Sequence, residues 1–275
     1  MSIASPIKRH GGKYFLAKRF VELMPPHTRY CEAFFGSGAV LFEKQFEGIS
    51  EFVNDLDRHL ANFWTVLRHE HLFSAFKRAV ECTPLSQDEF TIANNLKCLE
   101  WNGDIPSEGK ILRAVAFFVR NRQSRQALEK SFCTPSSRTR RGMNENVSAW
   151  LSAVEGLPEI HARLKRVEVR NQDAVDFIQE LDADYTLHLC DPPYCHSTRS
   201  ATKAYEHEMT DEQHAALLDT LASVKGKFML CGYRCELYDN AATKHGWNRH
   251  DFVIDNKSSS AKVKEKKTEC LWCNF

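Results

Sequence analysis

The chain has 275 residues, 43% hydrophobic and 27% charged, with a formal net charge of +1. This is the composition of an ordinary soluble globular protein, with room for one large domain or for a core carrying an insertion. No apolar run approaches the length of a membrane span, which excludes a helical membrane protein. In chain order, Pro6–Lys13 (PIKRHGGK) is a polar loop with a glycine pair, and a helical pattern follows over Tyr14–Met24 until Pro25-Pro26 ends it. Tyr30–Phe34 is predicted as a strand running into Phe35-Gly36-Ser37-Gly38 and a helix over Ala39–Phe46. A second strand, Glu51–Asn54, ends at Asp55. Strand, glycine turn, helix, strand and acid make the plan of a nucleotide-binding βαβ unit. From Leu56 the pattern stays helical far longer than one crossover requires, with helices predicted over Asp57–Glu81, Ser86–Trp101, Lys110–Arg122 and Ser148–Lys165. This block reads as an inserted helical subdomain. Alternation then resumes: strand Val167–Arg170, helix Ala174–Leu181, strand Tyr185–Cys190, helix Thr210–Val224, strand Lys227–Cys231, helix Cys235–Lys244 and strand Trp247–Ile254. A cationic loop, Asn256–Lys267, leads to the closing strand Thr268–Phe275. The expected fold is α/β: a Rossmann-like, mostly parallel sheet with one antiparallel edge strand. Its sheet domain comprises residues 1–56 and 166–275, and its helical domain residues 57–165.

The strand Tyr185–Cys190 stops on Asp191-Pro192-Pro193-Tyr194. Two prolines cannot continue a central strand, because each lacks a ladder N–H and fixes its own φ. The chain therefore leaves the sheet stiffly at Asp191, where open α/β sheets place their ligands. A carboxylate, an oriented carbonyl and a ring suit a planar heterocycle bearing an amino group. Asp55, nineteen positions after Gly36, is placed to accept hydrogen bonds from a ribose diol; capping of the following helix competes for the same carboxylate. The full GxGxxG is absent, which favours a nucleoside without phosphates. Glu32 would meet an ammonium and Lys13 a carboxylate, and an amino-acid end on a nucleoside is what S-adenosylmethionine offers.

KRHGGK, YCEAFFGSG, VNDLD and LCDPPY occur in this order, with a helical block between the second and third pairs of strands. The chain thereby resembles the Dam-type (D12 class) adenine-specific DNA methyltransferases over nearly its whole length. The resemblance implies a class I methyltransferase sheet, S-adenosylmethionine as cofactor, and a target-recognition domain in the helical block. It places Arg9 and Lys13 in the cofactor-binding N-terminal motif, although Arg9 and His10 depart from the family's usual aromatic and small residues. It puts Glu32, Phe34, Gly36, Ser37 and Gly38 around the methionine part, Asp55 on the ribose and Asp173 on the adenine amino group. Asp191, Pro192 and Tyr194 would hold the target base, with Asp191 also near the sulfonium. Asp173 competes as a cap for Ala174–Leu181. The expected reaction moves a methyl group to the 6-amino group of an adenine flipped out of double-stranded DNA. Methylation of RNA adenine or of the cytosine 4-amino group is the nearest alternative. A non-catalytic nucleic-acid-binding protein with an idle cofactor fold is the rival of another class.

Arg120, Arg122, Arg125, Arg138, Arg140 and Arg141 interleave with polar residues in the helical block, a pattern suited to phosphate and base-edge contacts. The loop Phe132–Asn146 is expected to order on nucleic acid, and Lys257–Lys267 is a second candidate contact. Ten cysteines, mostly single within apolar segments, read as reduced core residues. Cys270 and Cys273 have zinc half-site spacing without a second pair, so no metal is expected. The N-terminus lacks a signal-peptide core. A cytoplasmic monomer, without membrane or obligatory protein partner, is the expectation, in a bacterial cell or phage-infected host.

Overall fold

A computed structural model describes residues 3–9, 12–97, 101, 103–198, 208–255 and 266–275. His10, Cys98 and positions 256–265 of the cationic loop lie outside the described residues. The strands are β1 (Arg29–Glu32), β2 (Ser50–Asn54), β3 (Thr139–Arg140), β4 (Met143–Asn144), β5 (Val167–Arg170), β6 (Thr186–Cys190), β7 (Lys227–Tyr233), β8 (Asn248–Asp255) and β9 (Lys266–Cys273). Seven of them form one sheet in the order β5-β2-β1-β6-β7-β9-β8, and β3 pairs with β4 as a separate hairpin. Parallel pairing joins β2 to β1, β1 to β6 and β6 to β7. The C-terminal strand β9 runs antiparallel to both β7 and β8, one place in from the rim. This is the expected Rossmann-like class I arrangement, whose strand order reverses between β1 and β6.

The helices are α1 (Ala17–Leu23), α2 (Ala39–Glu43), α3 (Arg58–Arg68), α4 (Glu70–Cys82), α5 (Gln87–Lys97), α6 (Ser107–Gln123), α7 (Glu145–Glu155), α8 (Leu157–Leu164), α9 (Ala174–Leu181), α10 (Asp211–Ser223) and α11 (Glu236–His245). None among the described residues is long and apolar enough to cross a membrane. The chain divides into two compact units, one of Met1–Leu23, Gly36–Gln45 and Asp57–Val169 and one of Met24–Phe35, Phe46–Leu56 and Arg170–Phe275.

In the second unit, β6 is buried along its whole length, as a central parallel strand covered on both faces must be. Phe177, Ile178, Leu217, Leu218, Leu221 and Tyr238 of α9, α10 and α11 pack on Cys31, Cys190, Phe228, Leu230 and Trp272 of the strands. The expected cap of α10 is a full capping box. Thr210 Oγ1 accepts from Gln213 N at 3.3 Å, and Thr210 N donates to Gln213 Oε1 at 2.9 Å.

In the first unit, the aromatic rings of the helical block form its centre. Phe63 lies 6.0 Å from Phe76 and 5.9 Å from Phe118, which in turn meets Trp150 at 5.3 Å. The N-terminal segment and the glycine turn group with these helices rather than with the sheet, unlike the boundaries drawn at 56 and 166 from sequence. Hydrogen bonds explain why. Asn121 takes Lys8 N at 2.9 Å and gives to Lys8 O at 2.7 Å, while Trp64 Nε1 donates to Gly36 O at 3.2 Å.

Two long helices predicted from sequence are each broken. Asp57–Glu81 stops at His69, whose backbone is extended, and restarts as α4. An unbroken helix would hold Phe63 and Phe76 about 20 Å apart; the break brings them into contact. Ser148–Lys165 becomes α7 and α8, parted at Gly156, where Pro158 falls in the first turn of α8.

Candidate active site

Three parallel strands, β2, β1 and β6, end side by side. Glu32 lies in register with Val53 on one side and Leu189 on the other. The residues just beyond, Phe34, Asp55 and Asp191, therefore leave the sheet along the same edge. Asn54, fully buried and not singled out by sequence, ties the edge together. Its Nδ2 donates to Ala33 O at 3.1 Å and to Gln172 O at 3.0 Å, and its Oδ1 accepts from Gln172 N at 3.0 Å. Asp55 is held by its backbone, its carbonyl accepting from Asn171 Nδ2 at 2.7 Å. The capping competition is resolved two residues on: Asp57, not Asp55, caps α3, accepting from His59 N at 3.0 Å and Leu60 N at 3.2 Å. Asp55 itself is half-buried, two residues before that cap. Asp173 is exposed and does cap α9, accepting from Val175 N at 2.8 Å. Glu32 is buried and accepts from the Tyr30 hydroxyl at 2.5 Å; burial, then Glu32, hold that phenol well above its ordinary range. Tyr30 orients this carboxylate from two residues away, on the same strand face.

Asp191 is half-buried, and Pro192 and Tyr194 are buried. The Tyr194 ring meets Tyr233 of β7 edge-on, with centroids 4.7 Å apart, and its hydroxyl donates to the buried Glu269 carboxylate of β9. The sequence reading found neither partner. The next residue, Cys195, lies 3.7 Å sulfur to sulfur from Cys235, which precedes α11. The hydrogen bond with Cys195 outweighs burial, and the N–H groups of Tyr238 and Leu237 add to it, holding the Cys235 thiol below the ordinary thiol range. The Cys195 thiol is raised by the same hydrogen bond and by burial. Cys31, Cys270 and Cys273 are pushed up to about 12, chiefly by burial. Iodoacetamide should therefore modify Cys235 before those three, with the midpoint of its rate against pH below the ordinary thiol range. Cys195→Ala should move that midpoint upward; peptide mass mapping across pH reads both. Among the described residues no group of three or more His, Cys, Asp or Glu could hold a metal ion.

In the first unit, Gly36 and Gly38 have φ of 52° and 68°, a left-handed backbone suited to glycine. The helix that follows, α2, has only five residues. Ser5 Oγ donates to Ser37 O at 2.7 Å, and a Cβ on Gly12 would meet Ser37 Oγ at 3.2 Å. The two glycine-bearing loops thus pack directly on each other. Lys13 is buried. Arg9, assigned to the cofactor, instead forks onto Asp57 Oδ2 at 3.1 and 3.2 Å. Burial alone would raise the Asp57 carboxyl; Arg9 and the Leu60 N–H overcome this and leave it lowered. Its contribution to stability is full above the ordinary aspartate range and lost as pH falls through the depressed value.

The six arginines of the helical block separate into two groups. Arg120, 2% exposed, bonds Glu129 at 3.2 Å and Ala93 O at 3.1 Å. It is a core residue, so its expected place on the nucleic-acid surface is withdrawn. Arg122 is half-buried on Ala149 O at 2.8 Å, and Arg141 forks onto Glu155 at 2.9 and 3.0 Å. Arg125, Arg138 and Arg140 are exposed, with no ion pair among the described residues. Arg138 and Arg140 belong to the β3–β4 hairpin, closed by Arg141 and Gly142 at φ of 58° and 74°. The segment expected to order only on nucleic acid is thus already structured. Asn144 Nδ2 donates to Ser136 O at 2.7 Å, and Glu145 N donates to Arg138 O at 3.0 Å.

Residues 10–258 match the family of D12 class N6 adenine-specific DNA methyltransferases. No curated protein matches the chain. A similar solved structure is that of a Pyrococcus horikoshii protein described as a "putative RNA methyltransferase". It is 13% identical and aligned over 68% of this chain and 98% of that one, with a TM-score of 0.27. At that score the likeness decides neither fold nor substrate.

Proposed function

The chain belongs to the D12 class of N6 adenine-specific DNA methyltransferases, and on that premise we propose that it works as a monomer on a flipped adenine in double-stranded DNA. Asp191, Pro192 and Tyr194 would hold the base. The carrying observation is the shared edge, where Asp191 leaves β6 beside the β1 end and Asp55 leaves β2 on the other side. S-adenosylmethionine, the cofactor of this activity, supplies an electrophilic methyl carbon when bound. The residue types suit it: Asp55 would accept from a ribose diol, Glu32 would meet an ammonium, and Lys13 would be the cation of the N-terminal motif. Arg9 is paired with Asp57, the cap of α3, and Asp173 caps α9. Asp191 and the Pro192 carbonyl would accept from the adenine amine, favouring a pyramidal nitrogen whose lone pair is available to an electrophile. The positive charge that grows on nitrogen meets fixed acceptors, which need no reorganisation at the moment of reaction.

Residues 57–165 would supply target recognition. Arg138 and Arg140 of the hairpin and Arg125 offer cations to phosphates or base edges. Next to Arg125, the backbone of Gln126, Ala127 and Glu129 is left-handed, with φ of 56°, 57° and 60°. Such strain costs about 1–3 kcal/mol per residue and persists where the surroundings over-determine it. Here Arg120 clamps Glu129, and Ser124 Oγ accepts from Glu129 N at 3.1 Å. A loop rigidified at this cost suits reading a surface. Nucleoside mass spectrometry of DNA and RNA from a host expressing the chain tests the substrate. N6-methyladenine in DNA is expected; methylcytosine or a product confined to RNA would reject the reading.

A further inference from the structure

We propose that Glu269 is a positioning residue for the target base and acts through Tyr194. The inference deepens the reading of Tyr194 given above and rests on it. Glu269 is 75 residues away in sequence, on the antiparallel strand β9. Glu269 is 5% exposed, and its carboxylate accepts from the Tyr194 hydroxyl. The strand continues through Cys270, Leu271, Trp272 and Cys273, all buried, so an apolar side chain would fill position 269 without the desolvation cost of a carboxylate. Glu269 lies in register opposite Tyr233, whose ring is the edge-on neighbour of Tyr194, and Lys267 Nζ stands 5.3 Å from the Tyr233 ring centre. Tyr194 is therefore held at its far end by Glu269 and packed against Tyr233 in a T-shaped contact.

A tyrosine ring has two free torsions, and the hydroxyl is the atom farthest from the backbone. Tethering it fixes the direction in which the ring points, while the packed Tyr233 ring opposes rotation about the ring's own axis. Burial, followed by the charges of Asp191 and Glu269, raises the phenol well above its ordinary range, so it remains a donor at neutral pH. The rigid Asp191-Pro192 elbow orients the acceptors for the amine, while Glu269 orients the surface meant to hold the purine. Reaction geometry depends on both being true at once.

The test compares Glu269→Leu, Glu269→Gln, Tyr194→Phe, Tyr194→Ala and the double variant Glu269→Leu/Tyr194→Phe in methylation of unmethylated plasmid DNA. Glu269→Leu and Tyr194→Phe should each lower kcat about 10–100-fold with KM for S-adenosylmethionine unchanged. The double variant should be no slower than the worse single one. Glu269→Gln keeps an acceptor oxygen and should restore most of the rate. Wild-type kcat in Glu269→Leu, or additive losses in the double variant, would overturn the proposal. If Glu269→Leu does not fold, Tyr194→Phe decides alone, because it deletes one oxygen; an undiminished kcat there also overturns it. Full activity in Tyr194→Ala would instead remove the reading of Tyr194 itself, and with it this one. Loss in Tyr194→Ala with none in Glu269→Leu would remove only the role of Glu269.

Discussion

Asp191→Ala should reduce methyl transfer to adenine by at least about 10²–10³-fold, the loss seen when one fixed partner of a developing charge is deleted. The expectation follows from where Asp191 stands. It is the first residue past a fully buried strand and is followed by two prolines, so the backbone cannot swing a neighbouring group into its place. Water entering the space left by the side chain would accept from the amine but would not be held in alignment. Asp191→Asn separates charge from geometry, because its amide oxygen still accepts while its amino group repels the amine. It should fall between wild type and alanine. Cofactor affinity should change less than turnover, since Glu32, Lys13 and Asp55 remain. Single-turnover transfer of a labelled methyl group, with cofactor binding by calorimetry, measures both effects. An Asp191→Ala enzyme with the wild-type single-turnover rate would end the assignment.

Much of this was readable from the chain alone, for a physical reason. The sheet follows from apolar runs that end on glycine, proline or an acid, and such endings are local. Asp191 and Asp55 were visible because each follows its strand directly. What holds them was not. Asn54 bridges to Gln172 across 118 residues and Tyr194 to Glu269 across 75, distances at which no spacing rule operates. The break at Gly156 carried its own signal in Pro158, whereas the break at His69 arises from aromatic packing in the tertiary structure. Asp55 and Asp57 both stand where a cap could start the helix; only the fold reveals which carboxylate reaches the free N–H groups. Arg9 shows the same gap from the other side, its partner being that cap.

The arginines of the helical block supply the second large effect, because residues identical in chemistry now have opposite expectations. Arg125→Ala, Arg138→Ala and Arg140→Ala combined should weaken duplex binding without unfolding the protein, since all three side chains are exposed. Each phosphate left without its arginine should flatten the plot of log affinity against log salt by about 0.9, so three such phosphates would remove roughly 2–3 from the slope. At low salt the triple variant should bind about 10–1000-fold less tightly, on the basis of roughly one kcal/mol per cation, and the deficit should shrink as salt rises. Arg120→Ala should do the reverse. It leaves Glu129 without its buried guanidinium and loosens the left-handed segment beside it. Breaking a buried pair costs about 3–5 kcal/mol, so the melting temperature should fall by several degrees. The fraction that stays folded should bind DNA with an unaltered salt slope. Fluorescence anisotropy of a labelled duplex at several salt concentrations, read beside thermal melts, separates the two cases. If the triple variant kept the wild-type slope, the hairpin and the Arg125 loop would not be the nucleic-acid surface, and the recognition role of residues 57–165 would have to rest elsewhere.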